Sequence, residues 1–426
     1  MKTTGSANIV GIAISLFLIT PFANAADWPQ WRGPNRNGVS SEKIDWPTSG
    51  PKELWKAAVG VGYSSVSVSK GRAYTMGNVD GQEIVWCLDA KTGALIWKYD
   101  IPGTRTTGPL AKKVEAGAFQ NPYRGPNATP TIDGERVYVV GHDGILVALD
   151  ANKGTHLWSS DYSKDFAPKE KDASSNPARW GHAGSPLVDG NLLIVSVGVE
   201  GASVVAFDKT TGKVVWKSGY DGLGFASPLA YAIGAQRLVL MFSATGLFAY
   251  NLADGQMLWN AEWAAHHDGN CADPLVIGDK VFISTDYGAG CCLLKATNDS
   301  ATEIYRKKNF GSHFPNPVLV GGMIYGITGH INSKPSLVCY DPNSGEIKWQ
   351  VKDGGTGLIA AGNTLLVQSA KGNLVAVEAT PAAYKEIGSA TALPSGVCWT
   401  APALANGLVY CRNAEGDVIC LDLGGK

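Results

Sequence analysis

The chain has 426 residues, and its 36 lysines and arginines nearly cancel its 37 aspartates and glutamates. That balance excludes the basic footprint of a nucleic-acid binder or of a protein held on an anionic membrane surface, and no stretch beyond the N-terminus is long and apolar enough for a membrane helix. The 52 glycines, 22 prolines and 13 tryptophans, without any long run at helical period, predict an all-β fold of short strands and tight turns.

In chain order, residues 1–25 read as a signal peptide. Lys2 supplies the positive charge, residues 9–19 form an apolar core too short to cross a bilayer, and Ala23, Asn24 and Ala25 make a small-residue cleavage site. The mature chain is expected to begin near Ala26 in the periplasm or outside the cell, and without a lipid anchor, because the first cysteine is Cys87. Residues 26–52 stand apart as an N-terminal extension. Residues 53–59 then carry Trp55 on a strand that no turn precedes.

A ten-residue pattern follows and recurs. It reads LDAKTGALIW at 88–97, LDANKGTHLW at 149–158, FDKTTGKVVW at 207–216, YNLADGQMLW at 250–259 and YDPNSGEIKW at 340–349. Asp or Asn caps the turn, Gly supplies a positive φ, and Trp offers a large face to the adjoining sheet. Degenerate copies occupy 293–305 and 374–387, and a last copy stops at 418–422 before its final strand. The strand at 53–59 supplies the missing piece, so the two termini are expected to close a ring. The positions Trp55, Trp97, Trp158, Trp216, Trp259, Tyr305, Trp349 and Ile387 are separated by 42, 61, 58, 43, 46, 44 and 38 residues, one four-stranded blade per interval. Eight blades follow, or seven if the copy at 374–387 is not a blade.

These repeats resemble those of the pyrroloquinoline-quinone (PQQ) propeller superfamily, which includes quinoprotein alcohol dehydrogenases and the BamB-type propeller of outer-membrane protein assembly. The opening DWPQWRGPNRNGVS, residues 27–40, further resembles a group of secreted PQQ-like repeat proteins. The resemblance covers essentially the whole mature chain. It implies an eight-bladed β-propeller of four-stranded blades spanning 53–426 as one domain, and it leaves the activity open.

In a propeller of this type, the loops that lead into each innermost strand share one face with the hairpins between second and third strands, around the central channel. Two lead-in loops, 101–128 and 159–183, are lengthened and read either as a lid or as solvated loop. Phe119, Tyr123 and Trp180 favour order, and the charged stretch 169–172 favours solvation. His182, His266, His267 and His313 fall in lead-in loops, His142 and His330 in hairpins of the same face, and His156 elsewhere. Imidazoles can ligate metal or move protons, but they also collect in loops simply because they are polar. Only the adjacent His266 and His267, beside Asp268, come near a ligand spacing, so no metal ligand is assigned. Tyr63, Arg124, Arg179, Trp180, Phe225 and Trp399 join these histidines as candidate ligand-binding residues, suited to a planar anionic cofactor, a sugar or a peptide. Trp180, in ARWGHAG, has the best functional case.

Cys87, Cys339 and Cys420 stand two residues before the motif Asp, where other blades have Ala148, Ala206, Ala249 and Ala376, and read as small buried residues. A turn centred on Glu415 and Gly416 would set Cys411 opposite Cys420, where export permits a disulfide of imperfect geometry. Quinoprotein alcohol dehydrogenases carry a disulfide between adjacent cysteines beside the quinone. Here Cys291 and Cys292 are the one adjacent pair, but strand alternation should send them to opposite faces.

Three functional readings follow. The first is a monomeric binding or scaffold module for a small molecule, a glycan or an envelope protein. The second, implied by the resemblance, is a PQQ-dependent dehydrogenase with calcium held by carboxylate and amide oxygens, basic groups for the quinone carboxylates and a carboxylate base. The face carboxylates Asp80, Glu200, Asp268 and Asp286 match no such motif, and no CxxCH haem attachment is present. The third is hydrolase-like or lyase-like chemistry at the histidine-rich mouth. Convergence of face residues within hydrogen-bond reach would mark catalysis, and an aromatic patch without it would mark binding. No catalytic residue is assigned.

Overall fold

The computed structural model describes residues 26–103, 125–166, 180–394 and 396–424. The predicted leader, the residues Phe119, Tyr123, Arg124 and Arg179, and most of both lengthened loops lie outside that set. The described strands form eight sheets, each with four antiparallel strands, arranged as blades around one axis. The innermost strands are Ser67–Ser69, Thr131–Asp133, Leu187–Asp189, Leu229–Ile233, Leu275–Ile277, Val318–Val320, Gly357–Ala361 and Ala403–Ala405, in blades 1 to 8. The copy at 374–387 belongs to a complete blade 7, so the count is eight. The ring closes through Lys52–Ala58, which pairs antiparallel with Asp417–Asp422 and sets Trp55 opposite Cys420.

The repeat motif builds the seams between blades. Each indole Nε1 donates to the carbonyl just past the capping residue of the following blade: Trp55 to Ala90 O at 3.0 Å, Trp97 to Ala151 O at 3.0 Å and Trp158 to Lys209 O at 3.2 Å. Trp216, Trp259 and Trp349 continue the series on Leu252, Thr297 and Thr380. In blade 5 the Tyr305 hydroxyl replaces the indole, donating to Pro342 O at 3.0 Å. The turn glycine is needed twice over. At Gly154 φ is +67°, and a Cβ there would sit 2.6 Å from the Trp97 ring of the preceding blade. Opposite each indole across its hairpin stands a small residue, Cys87, Ala148, Ala206, Ala249, Cys339 or Cys420, which leaves the ring room to lie over the sheet. These cysteines are buried and act as alanines do.

All eight cysteines are free thiols. The last hairpin is one residue out of the expected register: Cys420 faces Tyr410, and Cys411 faces Ile419, so the two cysteines project from opposite sides of the sheet. Cys291 and Cys292 pair with Ser284 and Ile283 and pack into different seams, as strand alternation requires.

The N-terminal extension threads the channel. Asp27 accepts from Ser69 Oγ and Lys70 N on the face of the capped turns, opposite the mouth. The chain then climbs the lumen, where Trp28 exchanges backbone hydrogen bonds with Val68 of blade 1 and Pro29 O accepts from Ile132 N of blade 2. It turns back at residues 32–38 and descends beside blade 7, where Val39–Ser40 runs parallel to Ala360 and Ala361. It leaves at Glu42, whose carboxylate takes the N–H groups of Asn406 and Gly407 in blade 8. The extension is therefore a hairpin-shaped plug.

Candidate functional site

The mouth rests on a polar girdle made by the lead-in loops. Most of these loops place a polar residue before a proline at the start of the innermost strand: Thr129-Pro130, Ser185-Pro186, Ser227-Pro228, Asp273-Pro274 and Asn316-Pro317. Proline tolerates the first strand position because no ladder bond is owed there, and it holds the preceding residue extended. From blade 1 to blade 5, the residue at this position donates its N–H to the side chain of its counterpart in the next blade. Ser65 N reaches Thr129 Oγ1 at 3.0 Å, Thr129 N reaches Ser185 Oγ at 2.9 Å, and Ser185 N reaches Ser227 Oγ at 3.0 Å. Ser227 N reaches Asp273 Oδ1 at 2.7 Å, and Asp273 N donates to Asn316 Oδ1.

Blade 5 breaks the pattern with a carboxylate. Its second oxygen, Asp273 Oδ2, accepts from Trp31 Nε1 at 2.8 Å and lies 3.7 Å from Arg32 Nη1. Arg32 also donates to Pro317 O at 2.6 Å, and Arg36 donates to Pro186 O at 2.8 Å and Ser185 O at 3.0 Å. Burial pulls the Arg36 guanidinium down to about 10, with nearby Asp273 opposing the shift and Arg32 adding to it. One carboxylate thus anchors the plug, and two buried guanidiniums lock it to blades 3 and 6.

Above the plug lies a cavity of about 190 Å³. Trp31 forms its floor, and its walls include Tyr63, Trp180, Phe225, Tyr287, Phe314 and Trp399. Tyr63 and Trp399 stack with centroids 5.6 Å apart and planes 16° from parallel, and Phe314 leans on Trp399 at 5.6 Å. Asn127, whose Nδ2 donates to Trp180 O, Asn316, Thr400 and Asp273 supply polar edges.

Four of the six face histidines form two clusters. In the first, the buried Glu83 carboxylate accepts the His142 N–H on both oxygens, His142 Nδ1 faces Asp143 at 3.5 Å, and His182 lies under the edge of the Tyr162 ring. Tyr162 opens the short helix Tyr162–Asp165, capped by Asp161. Burial pushes Glu83 up to about 7 and pulls His182 down to about 4. In the second, His313, Tyr287 and His330 meet between blades 5 and 6. The Tyr287 hydroxyl and His313 Nε2 are 2.8 Å apart, and the His313 and His330 rings are 4.3 Å apart. Burial pulls His313 down to about 3.

Of the candidates read from sequence, Tyr63, Trp180, Phe225, His267 and Trp399 line the cavity. His313 stands behind the wall, stacked on Phe314 at 3.8 Å, and His182 is sealed in the first cluster. His266 and Asp268 share a 3₁₀ turn with His267 on the rim, where His267 and Asp268 hold φ of 63° and 55°. Sequence reasoning passed over Trp31, Tyr287 and Phe314. The WPQW run was visible as part of a resemblance, but its insertion into the lumen was not.

The PQQ-repeat family model described as "Outer membrane protein assembly factor BamB" matches residues 47–181, 172–351 and 333–425. The chain is 25% identical over 305 residues to the BamB assembly factor of Yersinia pestis, spanning 67% of this chain and 72% of that protein. It is 37% identical over 142 residues to the quinone alcohol dehydrogenase subunit of Gluconobacter oxydans, spanning 30% of this chain but 16% of that subunit. Among solved structures, BamB from Moraxella catarrhalis superposes with a TM-score of 0.61 at 15% identity, covering 87% of this chain and 99% of that one. Quinohemoprotein alcohol dehydrogenase from Comamonas testosteroni gives 0.66 at 17% identity, covering 95% and 82%.

Proposed function

We propose that this chain, which belongs to the BamB-type family of PQQ-repeat propellers, is an exported, monomeric binding module that seats a ring-bearing group of an envelope partner in its channel mouth. The observation that carries this reading is the floored cavity. Trp31, fixed by Asp273, turns a through-channel into a cup whose walls are aromatic. Such walls reward burial of a flat apolar face at roughly 25 cal/mol per Å², and each well-placed ring pair adds about 0.5–1.5 kcal/mol. The likeness to outer-membrane assembly factors favours a protein partner presenting an aromatic side chain over a free glycan.

A quinone cofactor has less support. Among the described residues of the wall, no lysine or arginine faces the cavity to take quinone carboxylates, and the one carboxylate, Asp273, is committed to Trp31 and Ser227. The described residues therefore do not fit PQQ with calcium, and no oxidation of an alcohol or sugar is derived from them.

Titration of the mature protein by tryptophan fluorescence tests the reading against its rivals. The probes are a tyrosine- and tryptophan-bearing peptide set, soluble oligosaccharides, and PQQ with and without calcium. Saturable peptide binding, weakened in Trp399→Ala by about 2 kcal/mol, is the expected result. Saturable calcium-dependent PQQ binding with no peptide binding would replace this reading with the dehydrogenase.

A further inference from the structure

The second histidine cluster holds a site that the cup does not use. Asp286 sits in the hairpin between the second and third strands of blade 5, His313 in the loop leading into blade 6, and His330 in the corresponding hairpin of blade 6. One donor atom from each lies within 4.8 Å of the others. The three loops are tied to one another by backbone bonds, Asp286 N to Ser312 O at 2.9 Å and Gly329 N to Gly311 O at 2.8 Å. The cluster is therefore positioned by the blades rather than by flexible chain.

We propose that Asp286, His313 and His330 bind one divalent transition-metal ion of the zinc class at the rim of the cup. Three observations support the assignment. Asp286 Oδ2 is buried and has no hydrogen-bond partner, so its lone pairs are uncommitted. The Nδ1 atoms of both rings receive only long backbone contacts, from Ile331 N at 3.4 Å and Asn332 N at 3.3 Å, which marks them as the lone-pair nitrogens. His313 Nε2–H then donates to the Tyr287 hydroxyl at 2.8 Å, the outer hydrogen bond that orients a ligating histidine.

Donors on a tetrahedral zinc ion stand roughly 3.3 Å apart, so binding requires inward movement on the order of 1 Å. Two imidazoles and one carboxylate suit Zn²⁺, Co²⁺, Ni²⁺ or Cu²⁺ and disfavour the all-oxygen preference of Ca²⁺. Three protein ligands leave a fourth position for water or for a donor atom of a bound molecule. That position would lie beside Tyr287 and behind Phe314, one side chain from the cup.

Tag-free mature protein, stripped with EDTA and dialysed, is titrated with Co²⁺ while its visible absorption is followed, and Zn²⁺ is then used to displace the cobalt by calorimetry. The expected result is one ion per chain with a tetrahedral cobalt spectrum, abolished by Zn²⁺. His330→Ala and Asp286→Asn should each weaken binding by at least about tenfold, since loss of even an outer partner of a metal ligand does so. His156→Ala, on an outer strand away from this face, should bind as the parent does. His330 is only half-buried, and unchanged thermal melting of its variant without metal would establish that it folds. No binding at one per chain, or equal binding by His330→Ala and Asp286→Asn, overturns the proposal.

Discussion

The two histidine clusters of the mouth have nearly the same composition but use their carboxylates in opposite ways. Around blades 1 to 3, Glu83 spends both oxygens on the His142 N–H, and His182 is closed over by Tyr162, with His182 Nδ1 and the Tyr162 hydroxyl buried without partners. Around blades 5 and 6, Asp286 Oδ2 has no donor and the histidine Nδ1 atoms hold only long contacts. Residue type does not separate structure from function here. What separates them is whether the carboxylate's bonding capacity is consumed inside the protein. The Asp273 floor belongs to the consumed kind, with its carboxylate shared among Ser227, Trp31 and Arg32.

If that division is right, the largest effect comes from the floor. Asp273→Ala leaves Arg32 and Arg36 buried without a counter-charge, and should lower the unfolding free energy by about 3–5 kcal/mol in urea denaturation. A loss below 1 kcal/mol would mean that the plug is not anchored there. Next come the histidines themselves. His182→Ala should open a void under Tyr162 and destabilise by about 2–4 kcal/mol, whereas His330→Ala without metal should stay within about 0.5 kcal/mol. Equal losses would erase the contrast between the clusters.

The smallest effect is a slope with pH. Burial raises Glu83 to about 7 in the folded protein, while in the unfolded chain the same carboxyl ionises near the ordinary glutamate value of 4.5. Between those values the unfolded state has released a proton that the folded state keeps, so stability falls as pH rises from about 4.5 to 7. Glu83→Gln should remove that fall, on the order of 1–3 kcal/mol, in urea midpoints measured across the window. A parallel pair of profiles would show that Glu83 is ionised throughout.

How much of this was legible follows the distance over which each feature is encoded. The seams were readable because Asp, Gly and Trp sit within ten residues, and even the Cys-for-Ala substitutions at Cys87, Cys339 and Cys420 could be placed. The aromatic half of the cup was readable from the lead-in loops through Tyr63, Trp180, Phe225 and Trp399. The floor was not, since Trp31 acts on Asp273 across 242 residues, through a plug whose path no local pattern records. The Asp286, His313 and His330 cluster escaped for a related reason: blade adjacency sets its geometry, and its sequence spacings match no ligand motif. The register of the last hairpin was missed because a turn one residue longer exchanges Tyr410 for Cys411 opposite Cys420.

The double use of the N-terminal segment bears on how the molecule reaches its folded state. Lys52–Ala58 precedes blades 1 to 7 and its partner Asp417–Asp422 follows them, so the ring cannot shut until all of those blades have been made. Such a pairing has extreme contact order and slows folding, because loop-closure entropy must be met before the contact rewards it. Blades 1 to 7 can assemble in sequence as an open arc. The final step is then a clasp, in which the strand after the plug finds blade 8 while the plug finds the lumen. A molecule built this way should hold a partly open arc with an unpaired last hairpin as its most exposed intermediate, and that arc is the form most prone to edge-to-edge aggregation.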